Sequence, residues 1–130
     1  MKKQSERTVV LTGGKFNRIH LGHKYLLKKC KFLGDYLVVV LAHDRHNNRR
    51  YAVPAGQRKK NLEKLKIADK VVVGSPNSFV KVVHRFKPGI IVLGYDQKLP
   101  DEETKKAVKK MKIRVVRMRR HGTNGRRKLA

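Results

Sequence analysis

His20-Leu21-Gly22-His23 sets two imidazoles three residues apart, just after a Gly13-Gly14 turn and at the start of a helical pattern. A strand that ends in glycines and feeds a helix leaves free backbone N–H groups and the positive end of the helix dipole facing one point. That is a phosphate-binding geometry. Both imidazoles can reach the same anion, and Gly22 between them removes a Cβ where a nucleotide would lie close to the backbone. The chemistry indicated is a reaction at phosphorus. Nucleotidyl transfer to a phosphate acceptor needs no strong base, because the attacking oxygen is already anionic. The task is to bring two anions together and stabilise charge on the α-phosphate during an in-line displacement. Two plainer readings stand beside this one. A metal-ligand pair lacks a third ligand at sensible spacing, and a purely structural pair of histidines can also open a helix.

The stretch Gly14-Lys15-Phe16-Asn17-Arg18-Ile19-His20-Leu21-Gly22-His23 resembles the G-x-F-D-x-x-H-x-G-H motif of the cytidylyltransferase-like nucleotidyltransferases. The resemblance extends from about Thr8 to Met118. Asn17 stands where that family has Asp, and Lys15 where it usually has Thr or Ser. The resemblance implies a nucleoside triphosphate, ATP or CTP, joined to a phosphorylated acceptor with release of pyrophosphate, and Mg²⁺ bridging the triphosphate oxygens. It makes His20 and His23 the catalytic pair. It assigns Thr12, Gly13, Gly14, Lys15, Phe16, Gly22, Gly94 and Asp96 to the nucleotide. Asp44, Arg58 and Tyr95 fall on the acceptor side. Relatives carry an Arg-x-x-Gly-[IV]-[ST]-[ST] segment after the last strand, where this chain reads Arg119-Arg120-His121-Gly122-Thr123-Asn124. Arg119, Arg120 and Thr123 are therefore expected at the triphosphate, with Thr123 and Asn124 standing in for the hydroxyl donors. Within the family, Ile90–Gln97 looks most like the archaeal flavin-adenine dinucleotide synthases, which implies FMN as acceptor. Glycerol-3-phosphate cytidylyltransferases are the competitor; they usually carry a tryptophan beside the G-x-D loop, and this chain has none. A homodimer is the family default.

The charge is extreme. Thirty-four Lys and Arg face nine acids, a formal net charge of +25 over 130 residues. Such a field recruits polyanions, whether nucleotides, RNA or polyphosphate. A basic RNA-binding protein on the same fold is the alternative of another class, although no clustered aromatic platform for base stacking is evident. Hydrophobic residues make up 39%, with clear periodicity, so disorder is not expected. No apolar run approaches the roughly 18 residues of a membrane span, and the apolar segment after Met1–Arg7 is too brief for a secretory h-region. A cytoplasmic protein without membrane contact follows as the expectation. Cys30 is the single cysteine, so no internal disulfide or cysteine-based metal site can form.

These residues need a scaffold. Apolar runs at Val9–Leu11, Tyr36–Leu41, Val71–Val73, Ile90–Leu93 and Ile113–Met118 read as strands. Helical patterns separate them, one carrying Leu26 to Leu33, one opening at Pro54 or Ala55, one capped by Ser75 or Asn77, and one over Asp101–Met111. Five strands alternating with four helices predict a single α/β domain, a Rossmann-like doubly wound parallel sheet of order 3-2-1-4-5, with a basic tail at about 119–130. Strands one and four are then neighbours where the winding reverses. Ligands bind at the carboxyl ends of such strands, where Gly13-Gly14 and Gly94-Tyr95-Asp96-Gln97 converge.

Overall fold

Successive side chains of a strand face opposite sides of its sheet, so an unbroken apolar run such as Leu37–Leu41 needs cover on both. The computed structural model, which describes residues 7–48, 50–95 and 97–118, supplies it. The elements are β1 (Val9–Gly14), α1 (Leu21–Leu33), β2 (Tyr36–Leu41), α2 (Ala55–Lys64), β3 (Lys70–Val73), α3 (Val80–Phe86), β4 (Ile90–Leu93), α4 (Glu102–Lys110) and β5 (Arg114–Arg117). Every pairing is parallel, and the strand order is β3-β2-β1-β4-β5. This is the α/β doubly wound sheet expected from the alternation.

The two faces carry separate cores. Val10, Leu37, Val39, Leu41, Ile90 and Val92 pack against Leu27 and Cys30 of α1 and Leu62 of α2. Leu11, Val38, Val40 and Ile91 pack against Val82 and Val83 of α3 and Val108 of α4. Burial pushes the Cys30 thiol up to about 12, against a smaller pull from the Thr12 hydroxyl. It is a packing residue, and no thiolate forms near neutrality. No helix among the described residues is long and apolar enough to cross a membrane.

Two local expectations are corrected. β1 does not stop at Leu11 but runs through Gly13 and Gly14, in register with Val40 and Leu41. A Cβ at Gly13 would come within 3.1 Å of the Val40 carbonyl, so the glycine permits the close approach. α3 is not capped by Ser75 or Asn77. It begins at Val80 with no side-chain cap, and the Ser75 hydroxyl instead accepts from the Asn77 N–H at 3.2 Å. The helix at 102–110 does start as read, with Asp101 accepting from the Thr104 N–H and acids in its first turn.

The ladder between β1 and β4 ends at Thr12 and Val92. Beyond it β1 continues with β2 alone, so the sheet splits at this point.

Candidate active site

Three residues is the spacing of a capping box, in which the residue before a helix and the third residue inside it each accept the other's backbone N–H. His20 and His23 form one. The His20 Nδ1 accepts from the Gly22 N–H at 3.0 Å, and the His23 Nδ1 accepts from the His20 N–H at 3.3 Å. The two rings stack with centroids 3.9 Å apart and planes 22° from parallel. Because each Nδ1 is an acceptor, each neutral ring carries its proton on Nε2. Burial, and then the neighbouring His20, lower the His23 pKa to about 4, with the Arg18 backbone opposing. The His23 ring is thus a neutral donor at pH 7. The structural and chemical readings of the pair are therefore not rivals: the cap fixes the tautomers.

Phe16 lies beneath His23, ring centroids 4.8 Å apart. Its backbone is left-handed, φ 50, which costs an L residue about 1–2 kcal/mol. The burial of its ring offsets this, since Phe16 is only 4% exposed. Gly14 makes room, because a Cβ there would lie 2.9 Å from that ring. Asn17 and Asn47 exchange reciprocal amide hydrogen bonds of 2.8 Å, and the Asn17 Oδ1 also accepts from the Val53 N–H. This pairing needs an amide at position 17, which a carboxylate cannot supply.

Asp44 and Arg58, expected on the acceptor side, pair with each other beside the turn that carries Lys15. Arg58 is wholly buried. Its Nε donates to the Val53 carbonyl, one terminal nitrogen to the Lys15 carbonyl at 2.9 Å, and the other to Asp44 at 2.8 Å. Asp44 also accepts from the Ala55 N–H at the start of α2. The ion pair braces the turn that carries Lys15, and neither residue lines a cavity described below. Thr12 is similarly engaged, its hydroxyl donating to the Val92 carbonyl across the β1–β4 seam.

Two cavities open at the carboxyl edge of the sheet. The larger, about 1230 Å³, is lined by Gly14, Lys15, Phe16, His20, Gly22, His23, Tyr51, Gly94 and Tyr95. It gathers most of the residues assigned to the nucleotide, and Tyr95, expected on the acceptor side, belongs to it. The smaller, about 560 Å³, lies toward α3 and α4, with walls that include Pro76, Phe79, Leu93 and Leu99 and a rim that includes His43, Asn77 and Lys98. Gly13, Gly14, Ala42 and Gln97 line both. Asp96, Arg119, Arg120 and Thr123 lie outside the described residues. Sequence reasoning did not single out Gln97, Phe79, Leu99 or His43 as site residues. The available signal was position, because all four stand in the connections that follow the carboxyl ends of strands. Among the described residues, no cluster of three or more His, Cys, Asp or Glu side chains could hold a metal ion.

A doubly wound sheet that brings a glycine-ended strand and paired imidazole donors to its switch point has an architecture suited to work on nucleotide phosphates. The chain belongs to the cytidylyltransferase-like family, which it matches over residues 11–127, and it is a nucleotidyltransferase. An FAD synthase from Thermococcus onnurineus is 39% identical over 114 residues, covering 84% of this chain and 76% of that protein. One from Aciduliprofundum boonei is 38% identical over 128 residues, covering 92% and 86%. A solved structure of a lipopolysaccharide core biosynthesis protein from Thermoplasma volcanium superposes with a TM-score of 0.77 at 36% identity, covering 88% of this chain and 98% of that one.

Proposed function

We propose that this nucleotidyltransferase joins a nucleoside triphosphate to FMN, forming the flavin dinucleotide and pyrophosphate. One observation carries the reading: two cavities meet at the glycine-marked end of β1, and the larger presents the paired imidazoles. In this reading the triphosphate lies in the larger groove, over Gly13, Gly14 and Lys15 and the start of α1. The ring of the acceptor occupies the smaller, apolar-walled cavity, as a flat flavin requires. An oxygen of the acceptor phosphate attacks the α-phosphorus, a new P–O–P bridge forms, and the bond between α- and β-phosphates breaks with its electrons leaving on pyrophosphate. The Nε2–H groups of His20 and His23 donate to the α-phosphate oxygens as charge builds there.

Among the described residues the groove is lined by imidazole, amide, basic and backbone groups, and in this reading Mg²⁺ enters with its substrate, as the magnesium–triphosphate complex. Asp96 near the ribose and Arg119, Arg120 and Thr123 at the triphosphate complete the nucleotide site in this reading. A homodimer and a cytoplasmic setting belong to it as well. The names of the relatives at 38–39% identity support FMN over a small phosphorylated alcohol, and so does the apolar wall of the smaller cavity.

The test is a matrix of FMN, glycerol 3-phosphate and choline phosphate against ATP and CTP, reading pyrophosphate release and flavin fluorescence. Turnover of FMN with quenching of flavin emission is expected. Turnover of glycerol 3-phosphate with CTP, and none of FMN, would overturn the reading. RNA binding with a steep salt dependence and no turnover in any cell would replace it with the nucleic-acid alternative.

A further inference from the structure

Where two paired strands part company, the first backbone groups past the last rung lose their partners, and unpaired buried groups are costly. β1 and β4 part after Thr12 and Val92. The groups left facing the split are the carbonyl of Gly13 and the N–H of Gly94. One side chain satisfies both. The Gln97 Nε2 donates to the Gly13 carbonyl at 3.0 Å, and its Oε1 accepts from the Gly94 N–H at 2.6 Å. A carboxamide carries one donor side and one acceptor side, as a peptide group does, so Gln97 continues the ladder by one rung where the main chains have separated. Its own backbone is held in turn. The Gln97 N–H donates to the Gly94 carbonyl at 3.1 Å, and Arg117 of β5 donates to the carbonyls of both Gly94 and Gln97.

This rung stands where the substrates must meet. Of the four described residues that line both cavities, two are glycines, one is Ala42, and Gln97 alone has a polar side chain. We propose that Gln97 is a positioning residue for the transfer step: its carboxamide fixes the separation of the β1 and β4 ends, and so the line between the attacking phosphate oxygen and the α-phosphorus. The inference rests on the two-substrate reading above. Each cavity keeps the rest of its walls without Gln97, so each substrate alone binds nearly as before. In-line attack, by contrast, is sensitive to ångström-scale misplacement.

Gln97→Glu keeps length and shape but sets a carboxylate against the Gly13 carbonyl, and Gln97→Met keeps length without either hydrogen bond. Both should lower kcat by about 30-fold, within the range an ångström of misplacement produces. The KM for triphosphate and the dissociation constant for FMN, read by flavin fluorescence, should change less than about threefold. A second measurement does not depend on turnover: amide exchange at Gly94 should quicken at least tenfold in Gln97→Met while exchange in β2 stays unchanged. Unchanged kcat in a folded Gln97→Glu variant overturns the proposal, as does a loss expressed wholly in substrate binding. An unchanged Gly94 exchange rate removes the rung itself. If the wild-type chain turns over no FMN, the acceptor reading has failed. The kcat test then runs on the acceptor that is turned over, and the exchange measurement stands as before.

Discussion

The two cavities were built by opposite routes. The larger groove takes its chemistry from one continuous stretch, Gly13 to His23, in which a strand end, a turn and a helix start follow each other along the chain. The smaller cavity draws on several stretches, 74–79 and 97–101 the longest. His43 comes from beyond β2, Pro76 and Phe79 from beyond β3, Leu93 from the end of β4, and Leu99 from the approach to α4. Local contacts shape the histidine pair of the first, since the histidines cap their own helix and Phe16 packs under His23. Distant ones shape the second: the His46 Nε2 donates to the Pro76 carbonyl at 2.5 Å, and Arg45 reaches Asn77. In the proposed reading the contiguous motif governs reaction chemistry, and the assembled pocket governs which acceptor is admitted. Changes in the first should therefore strike kcat, and changes in the second KM.

The sharpest break of that comparison is at the histidines. His20→Ala and His23→Gln should each lower kcat about 100-fold or more with little change in either KM, as loss of a transition-state donor does. Pyrophosphate release under saturating substrates measures it, and near-normal kcat in both variants would return the pair to a purely structural cap. Next in size is the brace behind the groove. Asp44→Ala leaves the buried Arg58 guanidinium without its counter-charge, and should cost about 2 kcal/mol of stability, read from urea unfolding. A variant as stable as the parent would show that the ion pair is idle.

On the acceptor side, Leu99→Ala should raise the KM for FMN about tenfold, near the transfer value of one buried aliphatic side chain, while the KM for triphosphate stays constant. Equal effects on both substrates would collapse the distinction between the cavities. The smallest effect is one of pH. The folded chain holds His23 neutral down to about 4, but the unfolded chain protonates it near its ordinary 6.5. The unfolded state then binds more protons between those values, so the His23 contribution is complete above pH 6.5 and declines as pH falls toward 4. Urea midpoints at pH 7.5 and pH 5 should differ more in the parent than in His23→Gln. An equal difference would mean that His23 is not held neutral.

The sequence by itself determined the sheet, its strand order and the glycine-marked end of β1. Alternating apolar runs and helical stripes leave few ways to bury both faces of five parallel strands, and the topology rules remove most of those. It also determined the histidine pair, because a capping box is a relation between residues three apart and needs no distant partner. Only the tertiary structure showed that Asp44 and Arg58, which a linear reading set at the acceptor, form an ion pair with a buried guanidinium. It alone showed that Asn17 pairs with Asn47 and that Gln97 spans the split between β1 and β4. The physical reason is range. Backbone periodicity and capping act within a few residues, while a buried guanidinium or a bridging amide is defined by groups 30 to 84 positions away along the chain, whose proximity exists only once the sheet has formed.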